Sequence, residues 1–248
     1  MTIAIHQPNY FPWLGFFFKL HFCDVFVFHD VVALSRRTYA RRTRILKDKG
    51  REDTRWLTVP LLHHASDTPM CRIEVDHGQD WQQAHLNKIA NAYRGSRYFD
   101  QVFPWIQEVL EGTREHGLLT EINRSIVLKV AELLELEATY RESSEISTDS
   151  KGAQLNIELV RALGGETYLS GIGARQYQSK DPFVAAGIEL VYHDFGSWVG
   201  TQTDLHGEQM WLRQLSVIHA LMRVGKSGIR DMFERYAAEL AVDKSSTS

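Results

Sequence analysis

Cysteine is scarce in this chain, and long apolar runs are missing. Only two cysteines occur among the 248 residues, Cys23 and Cys71. Two thiols without neighbouring ligands make neither a disulfide framework nor a zinc site, so we expect both to be reduced core residues. No stretch reaches the roughly 18 apolar residues of a spanning helix, and the N-terminus lacks the pattern of a signal peptide. These absences predict a soluble, cytoplasmic protein.

An excess of positive charge is also missing. The formal net charge is -3 and the pI is about 6.4, which argues against a protein that binds nucleic acid over its whole surface. The hydrophobic fraction of 44% is sufficient for a sizeable core. We expect a single domain over residues 1–242, followed by a polar, disordered tail at 243–248.

Strand-like and helix-like patterns alternate along the chain. Apolar runs at residues 3–5 and in DVFVFHDV, WLTVPLL, ETYLSG and ELVYHDF predict strands, and LGFFFKLHF, IELVRALGG and PFVAAGI predict helices. From about residue 80 to 138, apolar residues recur at helical spacing, with Gly95, Gly112 and Gly117 at the expected helix ends. The pattern predicts an α/β fold with a mostly parallel sheet, flanking helices and a helical insertion in the middle.

The loop after the first strand carries the first candidate site. In open α/β sheets ligands bind outside the carboxyl ends of the strands, and the sequence HQPNY lies there. His6 offers an imidazole that exchanges protons near neutral pH, Gln7 and Asn9 offer amide donors, and Pro8 stiffens the loop. The alternative is that His6 and Asn9 only satisfy backbone groups in a tight turn.

Basic residues cluster in a chain of acidic balance. The cluster comprises Arg36, Arg37, Arg41, Arg42, Arg44, Lys47, Lys49, Arg51 and Arg55. Guanidinium groups suit bidentate capture of phosphate or carboxylate, so Arg42 or Arg44 could hold a substrate diphosphate. A solvated arginine-rich loop explains the same pattern.

Two weaker signals lie elsewhere. In YLSGIGARQY, Gly171 and Gly173 follow a strand, and Arg175 lies just beyond them. This arrangement resembles a phosphate-binding loop in outline. The geometry of a turn alone also explains such glycines. Asp24 and Asp30 flank the second strand as possible acid or base partners, or as turn formers. Neither a Ser/His/Asp triad nor an HExxH or cysteine metal motif can be assembled, so we predict no metal.

Several segments in order along the chain resemble the WbqC-like family. They are IHQPNYFPWLGFFFKL, DVFVFHDV, TYARRTRIL, WLTVP, YLSGIGARQY and LSVIHAL. The resemblance implies a bacterial protein of the kind found in O-antigen and lipopolysaccharide gene clusters, where some members are suggested to transfer glycine or another acyl group to an amino sugar.

The resemblance also marks individual residues. Positions that match the family pattern are His6, Gln7, Pro8, Asn9, Tyr10, Trp13, Gly15, Arg42, Pro60, Ser170, Gly171, Tyr177 and Ser216. The chain departs from the pattern in two places. Arg41, Arg42 and Thr43 stand where Asn-Arg-Asn is expected, and His219 stands where an Asp is common. Substrate details are therefore expected to differ from those of other members.

A fainter likeness links the opening segment to nucleotidylyltransferases of the HIGH type. Their motif needs two imidazoles to stabilise charge on the transferring phosphates. Alignment on Gly15 puts Trp13 and Phe16 at those positions. The likeness supports a Rossmann-like fold, and the missing histidines argue against nucleotidyl transfer.

Together these features predict N-acyl or aminoacyl transfer to the amino group of a sugar nucleotide. We assign His6 as the base, Gln7 and Asn9 as donors, and Tyr10 or Trp13 as a stacking wall. Arg42 and Arg44 are assigned as the phosphate anchor, and Ser170, Gly171 and Tyr177 as further substrate-binding residues. The acyl donor stays open between a thioester, an aminoacyl-tRNA and an adenylate formed from ATP. A non-catalytic module that binds a nucleotide-sugar or a partner protein is the alternative, and it would not need His6.

Overall fold

A five-stranded parallel sheet forms the centre of the fold. The structure is a computed structural model that describes residues 1–34, 38–47, 53–146, 148–176, 178–201 and 215–246. The sheet strands are β1 (Thr2–His6), β2 (Val25–Phe28), β5 (Thr139–Glu142), β6 (Thr167–Gly171) and β7 (Glu189–His193). They lie in the order β5-β2-β1-β6-β7 and every pair is parallel, which confirms the predicted Rossmann-like, mostly parallel sheet.

The strand order reverses next to β1. From β1 the chain builds outward through β2 to β5, and it then returns to the other side of β1 to add β6 and β7. The loops that follow β1 and β6 therefore leave the sheet in opposite directions and open a crevice between them. This topological switch point lies at the carboxyl ends of His6 and Gly171.

A separate two-stranded antiparallel hairpin consists of β3 (Arg42–Leu46) and β4 (Thr54–Thr58). The sequence predicted only the second of these strands, from the run WLTVPLL. We read the segment before it as a polar stretch because its arginines hide the alternation. In the structure Thr43 and Ile45 are buried, and they alternate with the partly exposed Arg42, Arg44 and Leu46, which is the period-two pattern of a strand.

Eight helices are described. They are α1 (Leu14–His21), α2 (Trp81–Tyr93), α3 (Phe99–Glu111), α4 (Leu119–Leu133), α5 (Gly152–Ala162), α6 (Asp181–Ala185), α7 (Phe195–Val199) and α8 (Val217–Ser246). Short 3-10 turns occur at Met70–Arg72, Ser143–Glu145 and Ile172–Gln176. Helices α2 to α4 form the predicted helical middle section, and Gly112 caps α3 at its C-terminus. None of the described helices combines the length and the apolar character needed to span a membrane.

The long helix α8 is kinked at Gly225, where two helical segments meet. Gly225 has a φ of 69°, which favours glycine, and an added Cβ would lie 2.7 Å from the Tyr98 ring. The backbone of α8 runs to Ser246, and residues 247 and 248 lie outside the described part. The single domain at 1–242 and the tail at 243–248 stay predictions.

Apolar side chains pack on both faces of the sheet. All four residues of β2 are buried, as expected for a parallel strand covered on both sides. The larger cluster includes α1, the helical middle section and α8, and the smaller one joins β1 and β2 to α5 and α6. Of the two free thiols, Cys23 is buried as predicted, whereas Cys71 is partly exposed, so the expectation of a core position is wrong for Cys71.

Candidate active site

A cavity of about 660 Å³ lies at the carboxyl ends of β1, β6 and β7. Its volume falls in the range typical of sites for small molecules and cofactors. The predicted residues that line it are His6, Gln7, Asn9, Trp13, Ser170 and Gly171. The switch point of the sheet thus brings together the opening loop and the segment after β6, which are about 160 residues apart in the sequence.

His6 ends β1 and faces this cavity. Its Nδ1 lies 2.9 Å from the carbonyl oxygen of Gln7. Because a carbonyl only accepts, Nδ1 carries the proton and Nε2 is left as the acceptor of the ring. Burial of the ring, aided by the positive charge of Lys19, lowers the pKa of His6 to about 3. His6 is therefore a neutral imidazole in the free protein.

Two further histidines line the cavity from neighbouring strands. His193 ends β7 and is buried, and its Nδ1 accepts a hydrogen bond of 3.5 Å from the amide of Phe195. The proton of the neutral ring is therefore on Nε2, which has no partner in the described part of the chain. Burial, with Lys19 as the second cause, lowers the pKa of His193 to about 3. Burial also lowers the pKa of His29, which follows β2, to about 4.

Lys19 supplies a buried amine to the same cavity. It lies on α1 one turn after Gly15, so both residues are on the helix face toward the cavity. Only 4% of Lys19 is exposed, and burial lowers its pKa to about 7. Cys23 gives no counter-charge at neutral pH, because burial raises the pKa of its thiol to about 12. We did not predict Lys19 as a site residue, since its segment LGFFFKLHF reads as a core helix.

The opening loop forms one wall of the cavity. The Trp13 ring folds over Gly15 so closely that an added Cβ on Gly15 would lie 2.1 Å from the ring. Gln7 Oε1 accepts a hydrogen bond of 3.5 Å from the Thr38 hydroxyl, and Asn9 is buried. Glycine at position 15 is therefore required for this placement of the indole.

The segment after β6 forms the opposite wall. Ser170 is buried, and its hydroxyl donates to Gln178 Oε1 at 3.4 Å. Gly171 and Gly173 also line the cavity. Arg175, which completed the predicted phosphate-binding loop, is exposed and is not a lining residue.

Three of the predicted site residues lie away from the cavity. Tyr10 is fully buried, with its hydroxyl oxygen 2.9 Å from His85 Nδ1. Arg42 and Arg44 lie on β3, with their guanidinium carbons 4.2 and 5.4 Å from the centre of the Trp56 ring. Alternate residues of a strand share a face, so both arginines stack on the neighbouring strand of the hairpin instead of facing His6.

Tyr177 and four residues of the basic cluster, Arg36, Arg37, Lys49 and Arg51, lie outside the described residues.

The two aspartates that flank β2 have structural contacts. Asp24 accepts a hydrogen bond of 2.7 Å from the amide of Thr2. The buried carboxylate of Asp30 accepts from Ser143 Oγ at 2.8 Å, and from the amide and hydroxyl of Ser144 at 2.9 and 2.7 Å. The alternative that both aspartates organise turns thus accounts for their contacts. No cluster of three or more metal-ligating side chains occurs in the described ranges.

The fold and the cavity define an α/β protein with a ligand-sized site at the switch point of a parallel sheet. Residues 7–231 match the model of the WbqC-like protein family, and the chain belongs to that family. The chain is also 25% identical over 197 residues to "Uncharacterized protein Rv1507c" of Mycobacterium tuberculosis, which covers 79% of this chain and 83% of the relative. No solved structure matches the chain.

Proposed function

We propose that this protein transfers an acyl or aminoacyl group, such as glycine, to the amino group of an amino-sugar nucleotide in surface-polysaccharide biosynthesis. The observation that carries the proposal is His6 in the lining of a ligand-sized cavity at the switch point, with Nδ1 bonded to the carbonyl of Gln7 and Nε2 left as the acceptor of the ring. Family membership supports the choice of reaction, because the WbqC-like resemblance implies this class of transfer.

The reaction requires a base and a set of oxyanion donors. The amine nitrogen of the sugar attacks the acyl carbonyl carbon, the nitrogen gives up a proton, and the leaving group of the donor departs. In our proposal Nε2 of His6 takes that proton, and the side-chain amides of Gln7 and Asn9 stabilise the oxyanion. Trp13 forms a wall on which a base or sugar ring can stack.

His6 is a weak base in the free protein, so the proposed role requires that a bound substrate raise its pKa. A base with a pKa of about 3 accepts a proton weakly at neutral pH. Burial is the largest cause and the charge of Lys19 the second, so an anionic substrate beside Lys19 would offset part of the shift. The base would then be strengthened by the substrate on which it acts.

A transfer assay tests the proposal. Purified protein is incubated with UDP-linked amino sugars and with glycyl-tRNA, acyl-coenzyme A or glycine plus ATP, and product is followed by mass spectrometry. We expect product with one of these donors and a loss of at least about 100-fold in rate for His6→Gln, the usual minimum for removal of a general base. His77→Ala is the control, because His77 is exposed, is not a lining residue of the cavity and bonds the carbonyl of His116.

Two outcomes would contradict parts of the proposal. Full activity in His6→Gln would remove His6 from the chemistry. Absence of product with every donor, together with retained binding of the sugar nucleotide, would favour the binding module. Three imidazoles, those of His6, His29 and His193, line the cavity, and imidazole is the side chain that most often serves as a general base, so the lining favours the enzyme.

A further inference from the structure

The formal charge of the described cavity lining is exclusively positive. Among the described residues that line the cavity, Lys19 is the only formally charged side chain, and neither aspartate nor glutamate is present. A buried ammonium without a counter-ion is unfavourable, because desolvation is not compensated by an ion pair. An anion that enters the cavity would supply the missing partner.

Residues from the first turns of two helices line the same cavity. Gly15 and Phe16 of the first turn of α1 line it from one side, and Gly152 and Ala153 of the first turn of α5 line it from another. Neither helix has a side-chain cap at its N-terminus or an acidic residue in its first turn. The first amides of a helix lack partners within that helix, and together with the helix dipole they favour an anion.

An unpartnered donor gives an independent sign of a ligand. His193 is 5% exposed, and its Nε2–H lines the cavity without a hydrogen-bond partner in the described part of the chain. Buried donors are almost always paired, so an isolated one at a cavity wall indicates a ligand acceptor.

We propose that the cavity binds a phosphate or diphosphate group, held by Lys19, the Nε2–H of His193 and the N-termini of α1 and α5. A tetrahedral phosphate has enough acceptor oxygens for donors that converge from several directions, whereas a planar carboxylate has only two. This assignment replaces Arg42 and Arg44 as the anchor.

The assignment of this phosphate to a sugar nucleotide rests on the proposed function. In that setting the diphosphate would lie against Lys19, and the amino sugar would extend toward His6. Anion binding itself needs no acyl donor and can be tested without turnover.

Isothermal titration with inorganic pyrophosphate at pH 6.5 tests the site. We compare the wild-type protein with Lys19→Met, which removes the ammonium and keeps an unbranched apolar chain, and with Lys129→Met, which removes an exposed lysine on α4. We expect Lys19→Met to weaken binding at least about 10-fold, as for loss of a charge-assisted contact. Lys129→Met should bind like the wild type. His193→Leu is a second variant, for the case in which Lys19→Met does not fold, and should also weaken binding.

Arg42→Met separates the cavity from the hairpin. Retained affinity in Arg42→Met with reduced affinity in Lys19→Met supports the proposal. Unchanged affinity in folded Lys19→Met and His193→Leu would overturn it, and so would a loss confined to Arg42→Met. Uridine, UDP and free pyrophosphate titrated in parallel show whether a nucleotide adds to the phosphate contact. If the protein binds pyrophosphate but shows no transfer, only the proposed function is refuted. If it shows normal transfer but does not bind pyrophosphate, only the anion site is refuted.

Discussion

Lys19→Met should stabilise the protein in the absence of ligand, and the gain should depend on pH. The pKa of Lys19 falls from 10.5 to about 7 on folding, mainly because the amine is buried. The unfolded chain therefore keeps this proton at pH values where the folded chain has already lost it. Lys19 reduces the unfolding free energy most strongly below pH 7, where the amine is charged in both states. This reduction becomes smaller as the pH rises from 7 toward 10.5, and it is absent above that.

The shift sets the size of the effect. Each unit of difference between the pKa of Lys19 in the unfolded and in the folded state corresponds to roughly 1.4 kcal/mol. Lys19 therefore lowers the unfolding free energy by roughly 5 kcal/mol at pH 6 and by roughly 2 kcal/mol at pH 9. The difference in unfolding free energy between Lys19→Met and the wild type should fall by about 3 kcal/mol over that range. Packing changes caused by the methionine are independent of pH and cancel in this comparison.

Urea denaturation at a series of pH values measures this difference. His6 and His193 have pKa values of about 3, and Cys23 of about 12, so none of these neighbours of Lys19 titrates between pH 6 and 9 in the folded protein. Lys129→Met serves as the surface control and should show no such trend. A stability difference for Lys19→Met that stays constant from pH 6 to 9 would refute the claim that Lys19 is a buried ammonium with no acidic partner among the described residues of the cavity lining.

Three further predictions concern the cavity and its supports. Sulfate, which does not titrate in this range, should bind more weakly as the pH rises through 7, because Lys19 loses its proton; calorimetry that shows equal affinity at pH 6 and 8.5 would contradict this. Gly15→Ala should displace the Trp13 ring, seen as a shift in tryptophan emission together with weaker pyrophosphate binding, and unchanged spectra would refute the close contact. Asp30→Ala should lower the unfolding free energy by roughly 3 kcal/mol in urea titration, because buried hydroxyl and amide donors lose their acceptor, whereas the exposed Asp149→Ala should change it by less than about 0.5 kcal/mol.

Much of the fold could be predicted because its elements have strong local patterns. The buried run of β2 and the alternation of strands and helices after residue 150 each specify one structure. The strands β3 and β5 were missed because their exposed positions carry charged or polar side chains. β5 lies at the edge of the sheet, where such residues are common and where the pairing depends on β2, more than 100 residues earlier.

The site was predictable where it depends on a single loop. His6, Gln7 and Asn9 follow β1 directly, and strand ends at a switch point are where ligands bind. Lys19 and His193 were missed because each belongs to an element that reads as core, α1 and β7. Only the strand order, with β7 two positions from β1, brings His193 to the same cavity as His6.

The arginine cluster gave a strong sequence signal for residues that do not line the cavity. Charge clustering in the sequence drew attention to Arg42 and Arg44, but clustering does not reveal which surface the residues occupy. The two lie on a hairpin of their own and stack on Trp56, away from the cavity lining. A single buried lysine has a weaker sequence signal than a group of arginines, although its surroundings give it the stronger reason to bind an anion.

A crystal structure of the protein with pyrophosphate tests the central claim most directly. The account predicts that the anion lies in the cavity at the carboxyl ends of β1 and β6, in contact with Lys19 Nζ and with Nε2 of His193. An anion bound instead to the hairpin at Arg42 and Arg44, with the cavity unchanged, would contradict it.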